Sequence, residues 1–183
     1  VINQDARVFL RNYKKVYDVV IINLPDHVNV QINRYYTLEF FEELKQKLSP
    51  SAAISISLTS SANYLNEESQ EAHTALFSTL KLIFDNVIVI PGTRNYFIAS
   101  DGILSSEISR LTRIKKISNT YVNPNYIDDE LIQERRQQIE KAIAGKVLIN
   151  YDFLPLPYLL QLKLWLRNFK IIAIVIGILL FVL

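Results

Sequence analysis

The spacing of apolar residues changes several times along the first hundred positions. Residues 16–22 form a short, β-branched apolar run broken only by Asp18, the pattern of a strand covered on both faces, as in a parallel sheet. Thr37 then precedes Phe40, Leu44 and Leu48 at four-residue spacing, with Phe41 beside them. That predicts a capped amphipathic helix, stopped by Ser49-Pro50. Residues 52–58 alternate as a strand, and 59–61 follow as a loop. A long helix is expected over 66–84, with Ala72, Leu76, Leu80, Ile83 and Phe84 on one face. Strands over 87–90 and 95–100 flank Pro91-Gly92, so the sheet should finish with an antiparallel pair. At the start, Val1 onward reads as a strand end, with Asp5 as N-cap of a short helix over 6–12. The order β-α-β-α-β-α-β-β argues for a three-layer α/β domain.

Beyond residue 101 the chain becomes more polar. A helix is expected near 105–113 and a turn at 123–125. Asp128 or Asp129 should then cap a helix carrying Ile132, Ile139 and Ile143 and ending at Gly145. Its Glu134-Arg135-Arg136 run reads as a solvated face. After Pro155 and Pro157, Lys163, Arg167 and Lys170 make a basic stripe, while Leu159, Leu162, Leu166 and Phe169 make an apolar one, with Trp165 nearby. That is the pattern of a helix lying in a membrane interface. Residues 171–183 carry no polar side chain; as a helix they reach roughly 20 Å, short of a ~30 Å hydrocarbon core. They read as the first part of a transmembrane helix, against the alternative of a buried helix in a soluble protein. The cations on its N-terminal side place the α/β domain in the cytoplasm. The expected layout is an α/β unit over 1–102, a helical extension over 103–150, an amphipathic juxtamembrane segment over 151–170, and the start of a membrane helix over 171–183.

Composition narrows the chemistry. The 183 residues suffice for one domain with an appendage, and a net charge of +2 provides no basic field for nucleic acid. With no cysteine, disulfides, thiolate catalysis and cysteine-based metal sites are excluded. His27 and His73 are the only histidines, too few for a multi-histidine centre, so no metal is expected. The absence of methionine and the start at Val1 suggest a piece of a longer protein.

In a doubly wound sheet, ligands bind outside the carboxyl ends of the parallel strands. Asn23, Pro25, Asp26 and His27 follow directly after Ile22, in a loop expected over 23–34 with Pro25 punctuating it. A carboxylate at Asp26 can bind a cationic amine or act as general base; the Asn23 amide takes no proton near neutral pH. His27 fits an exposed loop better than a catalytic role. Tyr35 and Tyr36 can line a pocket or simply pack. Asp5 can accept a hydrogen bond from an adenine amino group, cap its helix, or do both. No nucleophile elbow and no Gly-rich phosphate loop occur.

The run D-A-R-x-F-L, then YDVVIINLPD, YYTLEFFEELKQKLSP and the closing IPGTRNYFIAS, resembles the spermidine synthases, the polyamine aminopropyltransferases. With the tail NYDFLPLPYLLQLKLWL it is closer still to membrane-embedded bacterial spermidine synthase-like proteins. The resemblance covers most of the chain. It implies the C-terminal half of a Rossmann-like fold of the S-adenosylmethionine methyltransferase type. It also implies transfer of an aminopropyl group from decarboxylated S-adenosylmethionine, a co-substrate and not a permanently bound cofactor, to putrescine or a related polyamine. By that likeness Asp5 matches the carboxylate that holds adenine, Asp26 and Tyr36 face the amine substrate, and Asn23 stands where a catalytic aspartate is expected. The Gly-rich loop and ribose-binding acid of the donor site lie outside these residues. The parent protein is expected to be a multi-pass protein of the inner membrane in contact with lipid, and a homo-oligomer is left open. Two rivals remain: a polyamine- or nucleoside-binding membrane module impaired in turnover, and a methyltransferase of the same fold.

Overall fold

The computed structural model describes residues 1–26, 29–60, 67–123, 125–160 and 162. Among the described residues the elements run α1 (Ala6–Asn12), β1 (Tyr17–Ile22), α2 (Val30–Asn33), α3 (Leu38–Lys45), β2 (Leu48–Thr59), α4 (Glu67–Ile83), β3 (Asn86–Ile90), β4 (Arg94–Ser100), α5 (Ile108–Ile114) and α6 (Asp129–Ile143), and residues 156–160 are helical as well. The strands form one sheet in the order β1-β2-β4-β3. β1 and β2 are parallel, and β4 lies antiparallel between β2 and β3. That insertion brings the first residue of β4 to the edge where β1, β2 and β3 end.

The alternating pattern of β2 decides which face is packed. Ala52, Ile54, Ile56 and Leu58 are buried, and the last three share one core with Phe97 and Ala99 of β4 and Val87 and Val89 of β3. Against them pack Leu10 of α1, Phe40, Phe41 and Leu44 of α3, and Leu76 and Leu80 of α4, with Ile139 of α6 at the margin. On β1 only Tyr17, Val20 and Ile22 reach this core. Val19 and Ile21 point the other way and are 64% and 75% exposed. The expectation of a strand covered on both faces therefore fails for β1 among the described residues, because the core-forming helices gather on one side of the sheet.

Caps set the helix boundaries. Asp5 accepts the N–H groups of Arg7 and Val8 at 3.0 and 3.2 Å, and Thr37 caps α3 through the Phe40 N–H. Asp128 caps α6 by accepting from Glu130 and Leu131. The neighbouring Asp129 reaches across to the Ser109 and Arg110 N–H groups at the start of α5, so each aspartate serves a different helix. Gly145, at φ +95°, follows α6, the left-handed position that glycine takes without strain.

Three expectations shift. Val1–Gln4 contain no strand. The loop expected over 23–34 contains the short helix α2, capped by Asn29. Leu48, expected on the helix, begins β2 instead, since it pairs with Tyr17 while the Tyr17 N–H donates to the Lys47 carbonyl. Among the described residues no helix is long and apolar enough to cross a membrane. The apolar run 171–183 and the basic stripe lie outside the described residues, as does His27.

Candidate functional site

The site begins where β1 ends. The pairing of Ile22 with Ile56 holds the strand, and Asn23, exposed, is the first residue past it. Three residues on, Asp26 turns back toward the end of β2. Its two oxygens accept the Thr59 N–H at 3.0 and 3.2 Å. Arg94, paired in register with Thr59, places its Nη2 2.8 Å from Asp26 Oδ1. Three strands thus contribute to one charged cluster.

Tyr36 lies beneath this loop. It is 2% exposed, and its hydroxyl donates to the Pro25 carbonyl at 2.9 Å, bracing the residue before Asp26. Burial pushes its phenol far above the ordinary range; the Asp26 charge adds to that and Arg94 opposes it. Tyr36 therefore supports the loop from below as a neutral phenol.

Asp5 lies in a second cluster, joined to the first by the turn Arg34–Thr37. Besides capping α1 it accepts the Tyr35 hydroxyl at 2.9 Å and pairs with Arg34 at 3.4 Å. Burial opposes its ionisation, but the Val8 N–H, the Tyr35 hydroxyl, Arg34 and the Arg7 N–H outweigh it and hold its carboxyl below the usual value. The capping reading of Asp5 is realised, and the carboxylate stays charged at neutral pH. A cleft of about 420 Å³ nearby is lined by Arg7, Arg11, Gln31, Arg34 and Asp152, and neither Asn23 nor Asp26 forms its walls.

The turn itself is fastened from far along the chain. Asp152 accepts two bonds from Arg7 Nη1, at 2.8 and 2.9 Å, and one from the Thr37 hydroxyl at 2.7 Å. Asn150, 1% exposed, donates to Asn33 Oδ1 and to the Tyr36 carbonyl. The segment entering the C-terminal region is therefore latched to the turn that carries both tyrosines.

Sequence reasoning singled out Asn23, Asp26, Tyr36 and Asp5 but passed over Arg94, Thr59, His73 and Asn95. Arg94 was findable: a Pro-Gly turn into an antiparallel strand puts that strand's first side chain back at the ligand edge. Asn95 was not. It is 1% exposed on the core face of β4, and neither its amide nitrogen nor its oxygen has a partner among the described residues.

His73, on α4, packs 5.6 Å from Phe97. Its Nδ1 meets the Ser69 carbonyl at 2.6 Å, and its buried Nε2 has no partner among the described residues. Burial pushes its pKa down, against opposing pulls from that carbonyl and from Asp26. The unfolded chain therefore takes up a proton near ~6.5 that the folded chain refuses until lower pH. This contribution to stability is complete above the unfolded value and falls as pH drops below it. Denaturant midpoints measured from pH 7.5 to 5.5 should decline. His73→Phe should flatten that decline; an unchanged slope would assign it to another group.

Residues 1–100 match the spermine/spermidine synthase domain. The chain belongs to that family. The polyamine aminopropyltransferase of Leptospira interrogans is 37% identical over 60 residues, which are 33% of this chain and 12% of that protein. Polyamine aminopropyltransferase 2 of Pseudomonas aeruginosa is 29% identical over 102 residues, 55% of this chain and 28% of that protein. Among solved structures, a probable spermidine synthase from Corynebacterium glutamicum superposes with a TM-score of 0.50 at 18% identity, covering 81% of this chain and 52% of its own. A spermidine synthase in complex with the transition-state analogue AdoDATO gives 0.50 at 17%, covering 76% and 46%. At such identities the likeness shows the fold, which is the Rossmann-like α/β type expected from the sequence. The chain thus spans about half the length of these spermidine synthases and a smaller part of the curated relatives.

Proposed function

We propose that this chain supplies the amine-acceptor wall of a membrane-anchored aminopropyltransferase acting on decarboxylated S-adenosylmethionine and putrescine. The observation that carries the proposal is the Asp26 carboxylate, fixed by Thr59 at the carboxyl end of β1, three residues after Asn23. In the reaction an amine lone pair attacks the aminopropyl methylene attached to the sulfonium. The C–S bond breaks, its electron pair neutralises the sulfur, and the new secondary amine sheds one proton. No covalent enzyme intermediate is needed, so the protein contributes positioning and charge. Asp26 would hold an ammonium of the acceptor, Asn23 would orient the attacking nitrogen through its carbonyl oxygen, and Asp5 would border the adenine.

The exposed Asn23 also favours a second reading, a polyamine-binding membrane module with little turnover. Incubating the full-length polypeptide with decarboxylated S-adenosylmethionine and putrescine should yield spermidine and methylthioadenosine. Tight putrescine binding with no product would replace the first reading by the second, and methyl transfer from S-adenosylmethionine itself would replace both. Membrane anchoring belongs to the same proposal, with lipid contact through the basic stripe and the α/β unit in the cytoplasm. A reporter fused after Lys146 should report a cytoplasmic location, and a periplasmic signal would overturn that orientation.

A further inference from the structure

The antiparallel insertion of β4 has a chemical effect at the acceptor edge. It sets Arg94 opposite Thr59, so a guanidinium meets the loop after β1. Besides reaching Asp26 Oδ1 at 2.8 Å, Arg94 donates from Nε to Ser57 Oγ at 2.9 Å. Its Nη1 donates to Thr59 Oγ1 at 2.9 Å, and its Nη2 also reaches the Ser57 carbonyl at 3.1 Å. The planar fork is therefore held by β2 on one side and turned toward Asp26 on the other.

We infer that Arg94 is a resident counter-ion on the acceptor carboxylate, which a cationic amine must displace from Asp26 in order to bind. The inference rests on the reading of Asp26 as the acceptor-binding residue. An ammonium and a guanidinium seated side by side on one carboxylate repel each other, so the first step of binding is an exchange of cations. The pair is accessible enough to exchange, with side-chain exposures of 29% for Arg94 and 28% for Asp26. Its charges already cancel, and Asn23 adds none. A dicationic acceptor thus meets no net negative charge at this pair, and occupancy waits on a high polyamine concentration. Arg94 is in this sense a specificity-determining residue: it sets how much positive charge the site tolerates.

The test is calorimetric titration of putrescine into the full-length polypeptide. Arg94→Gln keeps an amide near Ser57 and Thr59 but removes the charge, and should tighten putrescine binding by about tenfold or more. Arg94→Lys keeps the charge but loses the fork, and should bind putrescine less tightly than Arg94→Gln. Adding Asp26→Asn to Arg94→Gln should erase the gain. If Arg94→Gln melts like the parent yet binds putrescine no more tightly, the counter-ion role falls and the acceptor reading stands. If neither protein binds putrescine while both bind the donor nucleoside, the acceptor reading itself falls, and this inference with it. A further measurement needs no variant. Because one cation replaces another at Asp26, putrescine affinity of the parent should vary little with salt, and a steep salt dependence would overturn the exchange.

Discussion

Arg7→Ala should destabilise the fold by about 2–4 kcal/mol, the largest loss expected from any single charged residue here. Arg7 is 4% exposed. It donates to both oxygens of Asp152, to Glu43 Oε1 at 3.2 Å and to the Arg34 carbonyl at 3.3 Å. Truncation takes one donor from each of two carboxylates and a carbonyl, leaving Glu43 to Arg11 and leaving Asp152 and the Arg34 carbonyl to the Thr37 hydroxyl. Breaking a fully buried pair costs ~3–5 kcal/mol, whereas an exposed pair is worth ~0–1 kcal/mol. Asp152 and Glu43 keep 24% and 26% of their side-chain surface in water, which places the cost below the upper limit. Arg110–Glu107, exposed at 62% and 48%, provides the contrast, and Arg110→Ala should shift a urea midpoint hardly at all. Equal midpoint shifts for the two substitutions would refute the latch. The same contacts have a pH signature. Arg11 first, and then Arg7, hold the Glu43 carboxyl below its usual value against burial. Burial opposes ionisation of Asp152, yet Arg7 and Thr37 lower it. Carboxylates of this kind stabilise above their unfolded pKa, and the contribution is lost as pH falls through the depressed folded value. The acid limb of unfolding should therefore move to higher pH in Arg7→Ala.

The latch shows where local pattern stops being informative. Periodicity reads contacts within an element, and it recovered α1, α3, α4, α6 and all four strands to within a few residues. Arg7 and Asp152 lie 145 positions apart, and nothing in the spacing of either residue announces the other. The same limit explains β1. An apolar run records that side chains avoid water without recording what covers them, so Val19 and Ile21 read as buried although the helices around this core lie on the opposite face. Leu48 failed differently: four-residue spacing from Leu44 fits a helix, but strand pairing with Tyr17 claimed the residue. At the site, residue type and position after a strand were enough to choose Asn23 and Asp26. The Pro-Gly turn was enough to return Arg94 to that edge, but its place opposite Thr59, and so against Asp26, came from β4 lying between β2 and β3.

For the aminopropyl transfer proposed above, Asn23→Asp should raise kcat by about 10²-fold or more in the full-length polypeptide, the gain expected from a well-placed general base. Asn23 follows directly on Ile22, whose pairing with Ile56 sets the backbone, and its side chain is exposed. The substitution therefore changes chemistry with little change of position. With an amide there, the attacking nitrogen loses its proton without help, and the rate should climb with pH as more of the acceptor becomes free amine. With a carboxylate there, the proton has a local destination. The rate should then flatten across neutral pH and fall only as the new group protonates, near ~4 for an unperturbed aspartate. Binding should change less than rate, because Asp26 and its contacts with Thr59 and Arg94 are untouched. A rise in kcat with a flattened pH profile identifies proton removal as the limiting step. A lowered KM with unchanged kcat would instead mean that a second carboxylate only attracts the cationic acceptor. An unchanged rate and profile would move the limiting step away from the β1 edge.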